Sequence, residues 1–148
     1  MENGIRDLAD KLLEDEDQNK ILLRFISPSE LFPHEEVDND NVTNIICSIQ
    51  SSRKWIWPII VEEDSLVVID GHHRRAAAVS MKLSAVPCLM LSYNIVAVRS
   101  MRQQYICAPN LIIANGKARN LYPPKTTKHE FPKLPIIEPI DIEYLGYR

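Results

Sequence analysis

Residues 67–79 read "VVIDGHHRRAAAV", and the fold is decided there. A β-branched run stops at Asp70, Gly71 follows, and an alanine-rich helix opens at His72. A strand that turns through glycine into a helix leaves bare backbone N–H groups at the positive end of the helix dipole. That is an anion site, best suited to phosphate. Gly71 lets the backbone approach a ligand closely. His72, His73, Arg74 and Arg75 supply donors around the same point, and a guanidinium grips phosphate oxygens with two prongs. Cations in a first helical turn oppose the dipole at a cost of about a few tenths of a kcal/mol, which an anion would offset. Asp70, at the strand end, suits either Mg²⁺ or a hydrogen bond from a hydroxyl.

Upstream, "WPIIVEEDSLVVID" (57–70) reads as a hairpin whose β-rich arms are joined by the polar "EEDS". A helix is expected from Asp38, with Val42, Ile45, Ile46 and Ile49 on one face and Asp38 or Asn39 as its cap. "KILLRFI" (20–26) reads as a strand, and apolar positions Ile5, Leu8, Ala9, Leu12 and Leu13 predict an amphipathic N-terminal helix. Between them Pro28 and Pro33 forbid a continuous helix, so "SPSELFPHEEVD" is a loop carrying His34, Glu35 and Glu36.

Downstream, the helix from His72 runs to about Lys82, and "AVPCLMLSY" and "NIVAVRSM" predict strands. Pro87 suits the start or edge of a strand. "CAPNLIIANGKARNL" predicts one short helix, broken near Gly116. From Tyr122 onward lie five of the ten prolines, too many for regular structure, yet Leu134, Ile136, Ile137, Ile140, Ile142 and Leu145 favour a strap lying across the domain over a disordered end. Removal of the strap is expected to leave a folded core. The reading is one α+β domain: a helix over 1–19, a core over 20–93, a connecting region over 94–121 and the strap over 122–148.

The chain has 148 residues and a net charge of −3, which suits one modest core and argues against a protein that draws its affinity from nucleic-acid phosphates. Cys47, Cys88 and Cys107 form no CxxC pair and sit among apolar residues, the pattern of buried free thiols in a reducing compartment. The charged start "MENGIRDLADKLLEDEDQNK" is no signal peptide, and no apolar run is long enough for a membrane span, so a soluble cytoplasmic protein is expected. The sequence is silent on oligomeric state.

The four histidines fall at 34, 72, 73 and 129, each in a loop or at an element end and none on an apolar face. Zinc is the rival ligand, but no paired ligand spacing or nearby cysteine supports it. "PPKTTKH" (123–129) sets two hydroxyls, two ammoniums and an imidazole beside two prolines; it reads either as a polar surface loop or as a second phosphate grip.

Three segments in this order, "LFPHEE" (31–36), the hairpin–helix stretch 57–77 and "PPKTTKH", resemble the ParB/sulfiredoxin superfamily, and within it the free serine kinase branch. No cysteine occupies the position of the sulfiredoxin nucleophile, so that activity is not expected. The resemblance implies a small mixed sheet with packed helices and a kinase that moves a phosphoryl group from ADP or ATP to free L-serine, giving O-phospho-L-serine with Mg²⁺. It selects Glu35 as the acceptor of the hydroxyl proton, with Glu36 as its neighbour, and Asp70 to orient the hydroxyl or hold the metal. It implies that Gly71, His72, His73 and Arg74 hold the donor phosphates and that Thr126, Thr127, Lys128 and His129 close over the transferring group. The other reading is a ParB-like nucleotide-binding regulatory module without catalysis. Compared with the archaeal serine kinase, the bridge 94–123 is short, and no tryptophan stands in "IVAVRSMRQQY" to match the serine pocket.

Overall fold

The computed structural model describes residues 21–148; the helix expected near the N-terminus lies outside the described residues. Eight strands and three helices follow in the order β1 (Leu22–Ile26), α1 (Asn39–Ser52), β2 (Lys54–Trp55), β3 (Ile59–Glu62), β4 (Val68–Asp70), α2 (His72–Ser80), β5 (Val86–Leu91), β6 (Ala97–Ser100), α3 (Pro109–Ala118), β7 (Thr127–Glu130) and β8 (Ile140–Asp141). The expected α+β class holds.

The main sheet has the order β1-β5-β3-β4. Strands β3 and β5 run parallel, and the outer pairs, β1 with β5 and β3 with β4, are antiparallel. A parallel pair in mid-sheet is covered on both faces, which is why β3 and β5 are apolar almost without alternation and buried at every position. Pro87 sits at the second residue of β5, just before pairing with β3 begins at Cys88, so the missing N–H is tolerated. Thiols Cys88, Cys107 and Cys47 are free and respectively buried, half-buried and exposed.

The β3–β4 connection is the expected hairpin, closed by Glu62, whose carboxylate accepts the backbone N–H groups of Asp64 and Ser65. Asp38 caps α1 by accepting the Asp40 N–H at 2.9 Å. The third helix does not break at Gly116 but continues to Ala118. Gly116 is there for closeness: a Cβ on it would come within 3.0 Å of both Val67 methyls.

The tail departs most from expectation. Its prolines do not prevent regular pairing: β7 pairs antiparallel with β6, and β8 with β2. Ile137, Ile140, Ile142 and Leu145 are buried in the main core. The strap is therefore part of the core, and a chain cut at Tyr122 would not keep a complete one. Among the described residues no helix is long and apolar enough to cross a membrane.

Candidate active site

A groove of about 700 Å³ opens above the junction of β4 and α2. One wall is the exposed face of α1, where Asn41, Asn44, Ser48 and Ser52 recur at helical spacing; Lys54 and Trp57 continue it. Glu35, Glu36, Lys125 and Thr127 form the opposite side, and Asp70 to Arg74 form the floor.

The floor is built by Gly71, which caps α2 with φ +104° and no side-chain hydrogen bond. An L-residue there would be strained, and its Cβ would meet the Arg74 guanidinium at 3.0 Å. The first N–H groups of α2 have no intrahelical partner and point toward the groove end of the helix. The two arginines flanking them are turned to structural work. Arg74 donates to the Pro58 carbonyl at 2.6 Å and to Asp70 Oδ2 at 3.3 Å, and Arg75 donates to the Pro28 carbonyl at 3.1 Å. Burial pulls both arginine pKa values down.

Both histidines of the signature are fixed as acceptors. His72 Nε2 accepts the His34 N–H at 3.1 Å, and His73 Nε2 accepts the Asp38 N–H at 3.0 Å. A ring nitrogen that accepts carries no proton in that bond, so each ring can donate only through Nδ1. Burial holds His72 well below the usual histidine range.

Glu35 is brought to the groove by the loop "PHEE", which lies beside the chain at Tyr122: Tyr122 N–H donates to the His34 carbonyl and Glu36 N–H to the Tyr122 carbonyl. The Glu35 carboxylate then accepts the Thr126 N–H at 2.7 Å through Oε1 and faces the Thr127 hydroxyl at 2.7 Å through Oε2. The acidic loop and the late loop are joined, as expected. His34 is wholly buried, with Nδ1 2.7 Å from the Val68 carbonyl and Nε2 3.0 Å from the Thr127 hydroxyl.

The late loop is divided by strand geometry. Thr127 lines the groove, while Lys128, its neighbour on β7, points to solvent. Thr126 is buried, its hydroxyl spent on the Pro123 carbonyl. His129 lies behind the site, 2.9 Å from the Tyr93 hydroxyl and 5.8 Å ring to ring from His34, and burial takes its pKa down to about 3. So Glu35, Asp70, Gly71, His72, His73, Arg74 and Thr127 share one cavity; Thr126, Lys128 and His129 are not on its wall. Lys125, one of the two ammoniums of "PPKTTKH" but not singled out from the sequence, takes the left-handed conformation (φ 58°) and lines the groove. Trp57, which the sequence offers as a pocket wall or, in preference, a core anchor beside Trp55, is 68% exposed and lines the groove. Trp55 is the buried one.

His34, Glu35 and His72 also place candidate ligand atoms within 4.8 Å of one another. The nitrogens are already engaged: His72 Nε2 by the His34 N–H, His34 Nδ1 by Val68. The trio is assembled as a hydrogen-bond network. Asp70 is different: its side chain is 58% exposed and, among the described residues, holds only the longer Arg74 contact, leaving oxygen lone pairs open to the cavity.

No family model matches the chain. A ParB-like protein of Sulfolobus acidocaldarius is 36% identical over 88 residues, covering 60% of this chain and 44% of that protein. An ATP-dependent L-serine kinase of Staphylothermus marinus is 33% identical over 72 residues, or 46% of this chain and 29% of the kinase. The chain thus spans less than half the length of these curated relatives. Among solved structures, a free serine kinase in complex with AMP superposes with a TM-score of 0.74 at 14% identity, covering 83% of this chain and 93% of that one. The truncated SbnI of Staphylococcus aureus gives 0.73 at 12% identity, covering 83% and 88%. The fold is therefore that of the ParB/sulfiredoxin-like proteins, and the chain is similar in sequence to the ParB-like and serine kinase proteins within that group.

Proposed function

We propose that the protein transfers a phosphoryl group from ATP or ADP to the hydroxyl of free L-serine, giving O-phospho-L-serine. The observation that carries this reading is the shared cavity that the Glu35 carboxylate, held by Thr126 and Thr127, lines together with Asp70 and Gly71 at the entrance to α2. The relatives support it: two are ATP-dependent L-serine kinases, and solved neighbours hold AMP or ADP.

Each residue has a defined task. The N–H groups of α2 and the Nδ1–H groups of His72 and His73 bind donor phosphates, and Lys125 adds the charge that Lys128 cannot bring. Both Glu35 oxygens accept one hydrogen bond and keep a second lone pair, so the carboxylate is oriented and still able to take the serine hydroxyl proton. Asp70 fits Mg²⁺, since the ion commonly takes one or two carboxylates beside substrate phosphates; bound there, it would neutralise charge on the transferring group. Phosphoryl transfer asks chiefly for such positioning and charge stabilisation.

The second reading, a ParB-like module that binds nucleotide without turnover, is favoured by the name of the Sulfolobus relative. One experiment separates them. Protein, Mg²⁺, L-serine and either ATP or ADP are incubated and O-phosphoserine is assayed. Product that disappears in Glu35→Ala supports the kinase; nucleotide binding without product for either donor supports the module.

A further inference from the structure

Thr127 has one hydroxyl hydrogen and two acceptors to satisfy. Its Oγ1 is 2.7 Å from Glu35 Oε2 and 3.0 Å from His34 Nε2. The tautomer of His34 is fixed by the Val68 carbonyl, which can only accept, so Nδ1 carries the hydrogen and Nε2 presents a lone pair. The ring is fully buried, which takes its pKa down to about 4 and keeps it neutral at pH 7.

With Glu35 ionised, the hydroxyl can donate to one partner, and the other faces an oxygen lone pair. A proton received on the open lone pair of Glu35 Oε2 can turn about the C–O bond toward Thr127, and the chain then closes: Glu35 donates to Thr127 Oγ1, and Thr127 donates to His34 Nε2. Oε1 keeps the Thr126 N–H in both states. We infer that His34 and Thr127 form a hydrogen-bond switch that stabilises Glu35 as it takes a proton, the Thr127 hydroxyl turning from Glu35 to His34 as the transfer occurs. This rests on the reading of Glu35 as proton acceptor.

The balance is simple. The substrate O–H bond breaks and the Glu35 O–H bond forms; the Glu35 and Thr127 O–H bonds then only rotate, and the proton leaves to solvent through the groove after product release. The added hydrogen bond exists only once the proton has moved, so it stabilises protonated Glu35 over bound substrate, draws the transfer forward and acts on kcat rather than KM. His34 and Thr127 are positioning residues. On the buried side His72, His129 and Tyr122 surround the His34 ring, all with rings within 6.2 Å, and none brings a charge. On the open side Glu36, Asp70, His73, Arg74 and Lys125 share the cavity with Glu35.

The test is ¹⁵N NMR of the His34 ring in the ligand-free full chain. In Glu35→Gln the amide N–H stands in for the acid O–H and turns the Thr127 hydroxyl permanently toward His34. The Nε2 signal should move upfield relative to wild type at neutral pH, and the movement should vanish when Thr127→Val is added to both. An unchanged Nε2 signal, or a His34 ring protonated on both nitrogens at neutral pH, overturns the switch. In turnover, Thr127→Val should lower kcat about tenfold with little change in KM, and Thr127→Ser should restore most of it, in line with one hydrogen bond. A serine variant as poor as valine would overturn it too. The NMR arm needs no turnover, so a wild-type protein that makes no phosphoserine would refute the kinase reading alone.

Discussion

Glu35 Oε1 accepts the backbone N–H of Thr126 at 2.7 Å across 91 residues of chain, so the carboxylate that faces the groove also anchors the C-terminal third. The contact gives Glu35 two separable jobs. Glu35→Ala should abolish product formation and leave a buried N–H without a partner, at a cost of about 1–3 kcal/mol. Glu35→Gln keeps an acceptor for Thr126 and should abolish product formation with little loss of stability. Thermal melts of the two variants check this; equal melting temperatures would show that the Thr126 bond does not matter to the fold.

Lys125 and Lys128 are three residues apart and both exposed, but of the two it is Lys125 that lines the groove. Lys125 lines the groove in a left-handed conformation that asparagine tolerates well, whereas Lys128 is exposed on the outer face of β7. Lys125→Asn should weaken nucleotide binding about tenfold, the scale of one charged hydrogen bond, without loss of stability. Lys128→Ala should leave the affinity within about twofold, as expected where a surface charge is solvated. Titration of nucleotide against the fluorescence of Trp57, exposed on the groove wall, gives both numbers.

The hairpin, the helix after Gly71 and the capped helix at Asp38 were legible because each is specified locally, by period, turn chemistry and cap. The joining of Glu35 to Thr126 and Thr127 was legible only through family resemblance, since spacing says nothing about contacts so distant in sequence. Two things escaped. Strand alternation in 127–130 splits "TTKH" between two faces, and a proline-rich segment did not look like a strand. The buried role of His34 also escaped, because its polar neighbours in sequence hide that Val68, His72 and Thr127 satisfy it from elsewhere. The polar stripe Asn41, Asn44, Ser48 and Ser52 could have been found: it has helical period and flanks the apolar face already noted.

The tail is a stability element before it is a catalytic one. Ile142 is fully buried, and β8 pairs with β2 through Trp55 and Ile140, with the Lys54–Asp141 ion pair alongside. Ile142→Ala should cost about 2–5 kcal/mol, the range for large-to-small changes in a packed core. Truncation before Tyr122 should give a chain without a cooperative unfolding transition. A truncated protein with a sharp melt would overturn the assignment of the strap to the core.

Acid should unfold the protein earlier than its carboxylates alone would require. Burial takes His34 from 6.5 to about 4 and His129 from 6.5 to about 3, and lowers His72 as well. Each is neutral in both states above pH 6.5, so the full stability is present there. As pH falls below 6.5 the unfolded chain binds protons that the folded chain refuses, and stability drops until the folded pKa is reached. Each histidine contributes a slope of up to about 1.4 kcal/mol per pH unit in that window. Urea midpoints should therefore fall steeply between pH 6.5 and 4, and His129→Gln should flatten the fall. Midpoints that hold level down to pH 4.5, or a slope untouched by the substitution, would mean that these rings are not buried together in solution.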